Sequence, residues 1–169
     1  MGHVVVRPIE LGDIAGFASC TAAVIAERVW LAHTAPFPID ETARFVAHNV
    51  RTGNPQFVAE DGGRIVGWCD VVRSTVPVYR HCGTLGIGVL ESHRGQGLGL
   101  RLMATTLAAA RTAGMERVDL AVFARNTRAT ALYREAGFRD LGVRRNGKKL
   151  DGEYDDVLLM DIALQEATT

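Results

Sequence analysis

The stretch Leu85-Gly86-Ile87-Gly88-Val89-Leu90-Glu91-Ser92-His93-Arg94-Gly95-Gln96-Gly97-Leu98-Gly99 decides the fold of this chain. Its first five residues alternate between large and small side chains, as in a strand with one buried face. An amphipathic helix follows, from Leu98 to Ala113. Between them, glycines remove the Cβ barrier, so that successive N–H groups can converge on an anion at the helix N-terminus. Arg94 can add a charge-assisted hydrogen bond. The stretch therefore predicts a strand, an anion-binding loop and a helix.

Two nucleotide-binding motifs compete for this loop, and both fail on detail. A P-loop requires a lysine before its final Ser or Thr, and the loop contains no lysine. The dinucleotide fingerprint can be placed on Gly95 and Gly97, but position 100 is Leu rather than Gly or Ala. A glycine-rich turn without a ligand stays open as an alternative.

A second segment, Asn126 to Phe138, has the pattern of a short amphipathic helix. Ala129, Leu132, Tyr133 and Ala136 share one helical face, and Asn126 is placed as the N-cap. From spacing alone, Asn126 can serve only as a cap. Tyr133 can serve only in packing, although its hydroxyl needs a partner if it is buried.

The rest of the chain gives the order β-α-α-β-β-β-α-β-α-β-β. The predicted strands cover residues 4–8, 56–59, 64–72, 81–90, 118–123, 138–143 and 154–164. Asp13 and Asp40 are predicted to cap the first two helices, which end near Ala26 and Thr52. Residues 118–123 read as a buried strand of the parallel type, and the connection 144–152 reads as a polar loop. Mixed order of this kind favours an α+β or mixed α/β fold, in a single domain over residues 1–169.

The composition of the chain limits which classes of binding partner are expected. Lys+Arg and Asp+Glu number 19 each, so no overall charge favours nucleic acid or an anionic membrane. No apolar run is long enough to span a bilayer. Cys20, Cys69 and Cys82 lack metal-ligand spacing and read as free thiols in a reducing cytoplasm. We therefore expect a cytoplasmic protein without a metal and without a covalent cysteine intermediate.

Together, the two segments resemble the GNAT superfamily of N-acetyltransferases. Arg94 to Gly99 matches the pattern R/Q-x-x-G-x-G/A, and Asn126 to Phe138 matches N-x-x-A-x-x-x-Y-x-x-x-G-F. The tail around residues 151–160 is similar to small bacterial single-domain members, including amino-acid and ribosomal-protein acetyltransferases. The resemblance implies a mixed, mostly antiparallel sheet, flanked by helices, that splays beside the strand at residues 81–90.

The resemblance also implies acetyl-CoA as the co-substrate and direct attack of a neutral amine on the thioester. The pantetheine arm would pair with the backbone of residues 88–90, and the pyrophosphate would sit on the amides of the glycine loop. Tyr133 would protonate the leaving thiolate. The implied cofactor-binding residues are Gly88, Val89, Leu90, Arg94, Gly95, Gln96, Gly97, Leu98, Gly99, Asn126 and Tyr133.

The catalytic base is the point of departure from the family. Gly83 stands about where relatives carry a glutamate, and no carboxylate occurs between His81 and Leu90. Space beside a glycine can hold ordered water, so we expect a water route, with His81 as the one strand residue that could contribute. A surface histidine beside a turn is the competing interpretation. An essential carboxylate elsewhere, such as Glu60 or Asp70, would overturn the water route.

The acceptor side carries weaker signals. Family analogy and aromatic or acidic character suggest Trp30, Phe37, Tyr154 and Asp156 as contacts. The expected acceptor is the primary amine of a small molecule, an amino acid or a related amine, and a homodimer is an expected assembly. A protein N-terminus is the alternative acceptor. A CoA-binding regulator without turnover is the alternative outside catalysis.

Overall fold

The computed structural model describes residues 4–165, and these form one seven-stranded sheet in the order β1-β2-β3-β4-β5-β7-β6. The strands are β1 Val5–Pro8, β2 Gln56–Asp61, β3 Arg64–Arg73, β4 Cys82–Val89, β5 Arg117–Phe123, β6 Arg139–Leu150 and β7 Glu153–Ala163. All neighbouring pairs are antiparallel except β4 and β5, which are parallel. The predicted mixed, mostly antiparallel sheet is confirmed.

Four α-helices cover the sheet: α1 Ile14–Ala26, α2 Ile39–Thr52, α3 Leu98–Thr112 and α4 Thr127–Glu135. Neighbouring residues of β3 show that α1 and α3 lie on opposite faces, because successive strand side chains point opposite ways. The Trp68 ring packs edge-on against Phe17 of α1. On the other face, a Cβ at Gly67, the residue before Trp68, would stand 3.2 Å from Leu102 Cδ1 of α3.

The sheet opens between β4 and β5. Residues Cys82 to Thr84 pair with Arg117 to Asp119, and the two strands separate beyond that point. From there β5 pairs with β7 alone, while β4 continues along β3 as far as Val89. The splayed sheet implied by the family resemblance is therefore present, with its opening at the carboxyl end of β4.

Of the two predicted helix caps, Asp13 holds the N-cap position of α1 without a side-chain capping bond, and Asp40 is not the N-cap of α2. Asp13 lies in a 3-10 turn before α1, where its carboxylate accepts the Glu10 N–H at 2.8 Å and binds the Arg7 guanidinium. The helix α2 starts at Ile39 behind Pro38, so Asp40 lies in its first turn. The acidic side chain still suits the positive end of the helix dipole there.

The predicted polar loop at 144–152 is also wrong, because these residues continue β6 to Leu150. The turn between β6 and β7 consists of Asp151 and Gly152, both with positive φ, which suits a two-residue hairpin. Almost all of β6 is exposed, so no alternation of apolar residues marks it as a strand. Exposure in β5 alternates instead, so this strand is covered on one face rather than on both.

Candidate active site

The glycine loop forms a cradle of backbone donors at the start of α3. Gly95 and Gly97 have φ angles of +76° and +75°, the left-handed conformation that favours glycine. Gly97 is the N-cap of α3, and no side chain caps this end. No atom lies within 4 Å of where a Cβ would stand at Gly97, so the space in front of the amides is open. This geometry fits an anion held by the first turn of a helix.

Within this loop, only backbone groups are available to bind an anion. Gln96 donates its side-chain amide to the Ser92 carbonyl, and the Leu98 side chain is buried in the core. Gly99 lies so close to α4 that a Cβ there would stand 3.0 Å from Leu132 Cδ2. The end of the loop is therefore closely packed against α4, while no side chain caps its amides.

The Arg94 side chain turns away from this cradle, contrary to the predicted bond to a phosphate. Its Nε donates to the Val89 carbonyl at 2.8 Å, and its Nη atoms bind Glu27 at 2.8 and 2.6 Å. The guanidinium, and to a smaller degree the Trp30 indole, lower the pKa of Glu27 against the opposite effect of burial. Arg94 thus joins the end of β4 to the end of α1.

Arg128 is a residue that the sequence interpretation missed. It lies in the first turn of α4, and its Nη2 is 2.8 Å from where a Cβ would stand at Gly95. The side chain is exposed and forms no ion pair within residues 4–165. A cation in the first turn of a helix opposes the helix dipole. That signal, visible in the sequence, favours a nearby anionic ligand.

The backbone of β4 presents alternate residues to the opening. Leu90 donates its N–H to the Val66 carbonyl at 2.9 Å, so its backbone belongs to the pairing with β3. Two residues earlier, Gly88 faces β3 in the same way, because hydrogen-bonded pairs alternate in an antiparallel ladder. Ile87 and Val89 therefore face the opening. This corrects the predicted set of residues 88–90, whose backbones cannot all point to one side.

Two residues of the second segment have structural partners. The Asn126 side chain accepts the Ala129 N–H at 3.1 Å, which confirms the predicted N-cap. The Tyr133 ring is buried and packs edge-on against Phe138 at 5.9 Å. Burial, and then the proximity of Cys69, raise the pKa of the Tyr133 phenol, which keeps its proton on at neutral pH.

The Tyr133 hydroxyl reaches accessible space. Within residues 4–165, the side-chain polar atoms that are sealed from solvent without a hydrogen bond are Gln56 Nε2 and Asp155 Oδ2, and the second of these lies 2.9 Å from Arg125 Nε in an ion pair. The hydroxyl has no hydrogen-bond partner in that part of the chain, yet it is not among these sealed atoms. A buried ring with an open hydroxyl is suited to donating a proton to a ligand.

On the opposite face of the sheet, α1, α2 and their connecting loop enclose a pocket of about 440 Å³. Its apolar walls come from Phe17, Ile25, Leu31, Phe37, Phe45 and Trp68. Gly86 and Ile87 of β4 form part of its floor, so the pocket adjoins the strand that borders the opening. A volume of this size suits a small molecule.

Asp70 is the buried acid of this pocket. It is 7% exposed, and no hydrogen bond within residues 4–165 involves its carboxylate. Burial raises the pKa of Asp70 to about 7. Gly86 is its cross-strand neighbour, and a Cβ at Gly86 would stand 3.1 Å from Asp70 Oδ1. Sequence reasoning considered Asp70 only as a competing possibility, because nothing local marks it as facing a pocket.

Comparison with known proteins supplies the family. The model of the GNAT acetyltransferase family matches residues 22–138, which is more than half of the chain. The chain belongs to the GNAT family. It is an acetyl-CoA-dependent N-acetyltransferase.

Among its relatives, this acetyltransferase is 26% identical to YwnH of Bacillus subtilis, named as a candidate phosphinothricin acetyltransferase. The similarity spans 157 residues, 91% of this chain and 95% of YwnH. It is 35% identical over 96 residues to the N-alpha-acetyltransferase RimI of Mycobacterium tuberculosis, 56% of this chain and 58% of RimI.

A solved phosphinothricin acetyltransferase from Sinorhizobium meliloti, in complex with acetyl-CoA, has the same fold with a TM-score of 0.91. The match covers 98% of this chain and 90% of that one at 20% identity.

Four residues expected to act in the acetyltransferase lie outside the pocket. His81 is exposed and precedes β4 at its paired end, where its carbonyl accepts the N–H groups of Glu116 and Arg117. Tyr154 is exposed beneath Lys149, and Asp156 accepts the Asn146 N–H at 2.8 Å within the β6–β7 hairpin. Trp30 precedes the lining residue Leu31, and its indole N–H donates to Glu27. Of the predicted acceptor contacts, only Phe37 lines the pocket.

The space expected beside Gly83 does not exist. A Cβ there would stand 2.5 Å from Val71 Cγ1 and 2.9 Å from Met115 Sδ, so the site is closely packed rather than hydrated. The water route at this position is therefore wrong. Glu60, a competing carboxylate, is bound by Arg7 at 2.7 Å.

Within residues 4–165, the acetyltransferase has no helix long and apolar enough to cross a membrane. The same part of the chain holds no group of three or more His, Cys, Asp or Glu residues arranged to bind a metal ion.

Proposed function

We propose that this enzyme transfers the acetyl group of acetyl-CoA to the primary amine of a small molecule, an amino acid or a related amine, by direct attack. The observation that carries the proposal is the position of Ile87. This residue lines the pocket, and its backbone N–H and C=O groups face the opening between β4 and β5. An amine in the pocket and a thioester in the opening would therefore meet at this strand.

The residues on the cofactor side fit acetyl-CoA. Amides from Gly95 to Gly99 suit its pyrophosphate, because a helix N-terminus and left-handed glycines converge there. The Arg128 guanidinium beside Gly95 supplies the positive charge that Arg94 does not. The backbone groups of Ile87 and the N–H of Val89 suit the amides of the pantetheine arm, whereas the Val89 carbonyl already accepts from Arg94 Nε. When bound, acetyl-CoA supplies the thioester carbon that the amine attacks.

The chemistry follows from these positions. A neutral amine attacks with its lone pair, the C–N bond forms, and the C–S bond breaks when the adduct collapses. N–H groups on the free edge of β4 can stabilise the oxyanion of the adduct. Tyr133, protonated at neutral pH, donates its proton to the departing thiolate and regains one from the adduct nitrogen. From the neutral amine, the net products are the amide and the CoA thiol; a proton is released to solvent only when the amine first loses it from its ammonium form.

A thiol-release assay with acetyl-CoA tests the proposal. The panel contains simple amines, free amino acids, phosphinothricin and peptides with free N-termini. We expect acetyl-dependent thiol release with at least one small amine. Release with peptides alone would instead support a protein N-terminal acetyltransferase. Calorimetric binding of acetyl-CoA without release on any acceptor would support a CoA-binding regulator.

A further inference from the structure

The charges around the pocket are acidic. Its titratable lining residues are Asp70 of β3, Glu41 of α2 and His33 of the α1–α2 loop, and neither Lys nor Arg lines it. The nearby guanidinium of Arg94 is already bound by both carboxylate oxygens of Glu27. The remaining lining is aromatic, aliphatic or neutral.

We infer that the acceptor is a primary amine with an apolar body and no carboxylate, and that Asp70 is the catalytic residue that takes its proton. The inference rests on the proposed function, since it specifies the acceptor of that reaction. Such an amine differs from an amino acid only in lacking the carboxylate, so matched pairs of substrates can test the inference directly.

The charge distribution excludes a carboxylate from the acceptor. An ion buried without a partner loses several kcal/mol of solvation. A second carboxylate beside Asp70 would also be repelled, and the lining offers no cation to offset either cost. An ammonium group has the opposite preference, because Asp70 lies unpartnered on the pocket floor and Glu41 adds negative charge at the exposed rim. The aromatic rings then surround the apolar part of the molecule.

The position of Asp70 suits proton removal. Its carboxylate lies over Gly86, the residue before Ile87, whose backbone faces the opening. An amine hydrogen-bonded to Asp70 is therefore held beside the strand where the thioester carbon would stand. The absence of a Cβ at Gly86 makes room for this carboxylate, since a side chain there would press against Oδ1.

The acid strengths decide how costly this transfer is. A free alkylammonium has a pKa of about 10, by analogy with lysine, and an ordinary aspartic acid has one near 4. The mismatch of roughly 6 units would cost about 8 kcal/mol. With the pKa of Asp70 raised to about 7, the mismatch falls to roughly 3 units, and an apolar pocket lowers the ammonium pKa as well.

The proton balance is then complete. The ammonium gives its first proton to Asp70, and the neutral amine forms the C–N bond. The adduct nitrogen later loses a second proton, which replaces the one that Tyr133 gave to the thiolate. Asp70 returns its own proton to solvent before the next turnover.

The first experiment compares matched substrates on the unmodified enzyme. The pair 2-phenylethylamine and L-phenylalanine differs only in the carboxylate, as does the pair pentylamine and L-norleucine. We expect kcat/KM to be about 100-fold or more higher for each amine than for its amino acid, which corresponds to roughly 3 kcal/mol. Equal values, or a preference for the amino acids, would overturn the acceptor class while leaving the proposed acetyl transfer intact.

The second experiment tests the base through Asp70→Asn, with Asp119→Asn as the matched control. Asp119 lies on β5, is exposed and accepts the Thr84 hydroxyl at 2.8 Å outside the pocket. We expect Asp70→Asn to lower kcat about 100-fold. Asp119→Asn should leave it unchanged. An Asp70→Asn enzyme with unchanged kcat would overturn the assignment.

The pH profile separates a proton acceptor from a mere binding group. The groups that line the pocket with Asp70 are His33 from the loop and Glu41 from α2; α1 and β4 contribute no titratable side chain to it. We expect kcat to rise with pH through one ionisation and then level off. That rise should persist in His33→Gln and Glu41→Gln. In Asp70→Asn it should give way to a continuous increase toward the pKa of the amine. Loss of the rise in His33→Gln instead would assign the base to His33.

Discussion

The two sides of β4 recognise their ligands by different means. On the side of α3 and α4, the candidate contacts are mostly backbone groups, arranged by glycines within the compact loop at residues 94–99. On the side of α1 and α2, they are side chains brought together from distant parts of the chain, such as Phe17, Phe37 and Asp70. Backbone donors tolerate many neighbouring sequences, whereas each side-chain contact changes with one substitution. This contrast suits a constant donor and an acceptor that varies between family members.

The strongest test of the backbone side is Gly97→Val. The new side chain would extend into the open space before the amides, and valine is strained at a φ of +75°. If two charge-assisted hydrogen bonds are lost, at about 2 kcal/mol each, affinity for acetyl-CoA falls about 1000-fold in calorimetry. Gly114→Val is the control, since Gly114 has a φ of +81° and equally open surroundings beyond the end of α3. Equal affinities in the two variants would refute a phosphate cradle at Gly97.

Tyr133→Phe tests whether the one side chain assigned to chemistry on the cofactor side is needed. The ring would keep its packing against Phe138, and only the open hydroxyl would be lost. We expect kcat to fall about 100-fold, with little change in melting temperature. Tyr154→Phe, which alters an exposed tyrosine outside the pocket, should retain full activity. If Tyr133→Phe keeps its turnover while chemistry is the rate-limiting step, Tyr133 serves only in packing.

On the side-chain side, Asp70 should make stability depend on pH. Its pKa is raised from 3.8 in the unfolded chain to about 7 in the folded protein, so the unfolded chain ionises first as pH rises. The contribution of Asp70 to the free energy of unfolding is therefore fully present below pH 4, declines between about pH 4 and 7, and is constant above pH 7.

Asp70→Asn removes that ionisation. The difference in the free energy of unfolding, variant minus unmodified protein, should be about 2–3 kcal/mol larger at pH 8 than at pH 5. The reason is that the unmodified protein loses stability over the roughly two pH units between pH 5 and the folded pKa of Asp70. Urea unfolding at both pH values measures this, with Asp119→Asn as the control. A pH-independent difference would mean that Asp70 is not desolvated in the folded state.

The smallest expected effect concerns the link between the two sides. Glu27→Gln weakens the bidentate contact with Arg94. The Glu27 side chain is 27% exposed and that of Arg94 is 18% exposed. We expect a loss of about 1 kcal/mol, or roughly 2–4 °C in melting temperature, and a joint rise of KM for both substrates. Arg134→Gln breaks an exposed ion pair with Asp140 and should have no measurable effect. A change in KM for one substrate alone would show that the two sides are not linked through Glu27.

The contrast also explains what could be predicted from the sequence. Local patterns were sufficient for the element order, the glycine loop and the Asn126 cap, because each depends on neighbours in the chain. The extension of β6 to Leu150 was not predicted, since a strand that is almost entirely exposed has no apolar alternation. Asp70 could not be assigned, because its burial depends on α1 and α2 folding over β3. The prediction of open space beside Gly83 was wrong for the same reason, since the atoms that fill its surroundings belong to Val71 and Met115.

The contact between Arg94 and Glu27 has a consequence for how such an enzyme can diverge. It fixes the last turn of α1 against the end of β4, so the loop from Trp30 to Pro38 begins from a constant point. Substitutions further along that loop can remodel one wall of the pocket without moving the glycine loop. A lineage could therefore exchange one amine for another by mutation in a few loop positions, while a mutation at Glu27 would require a compensating change at Arg94.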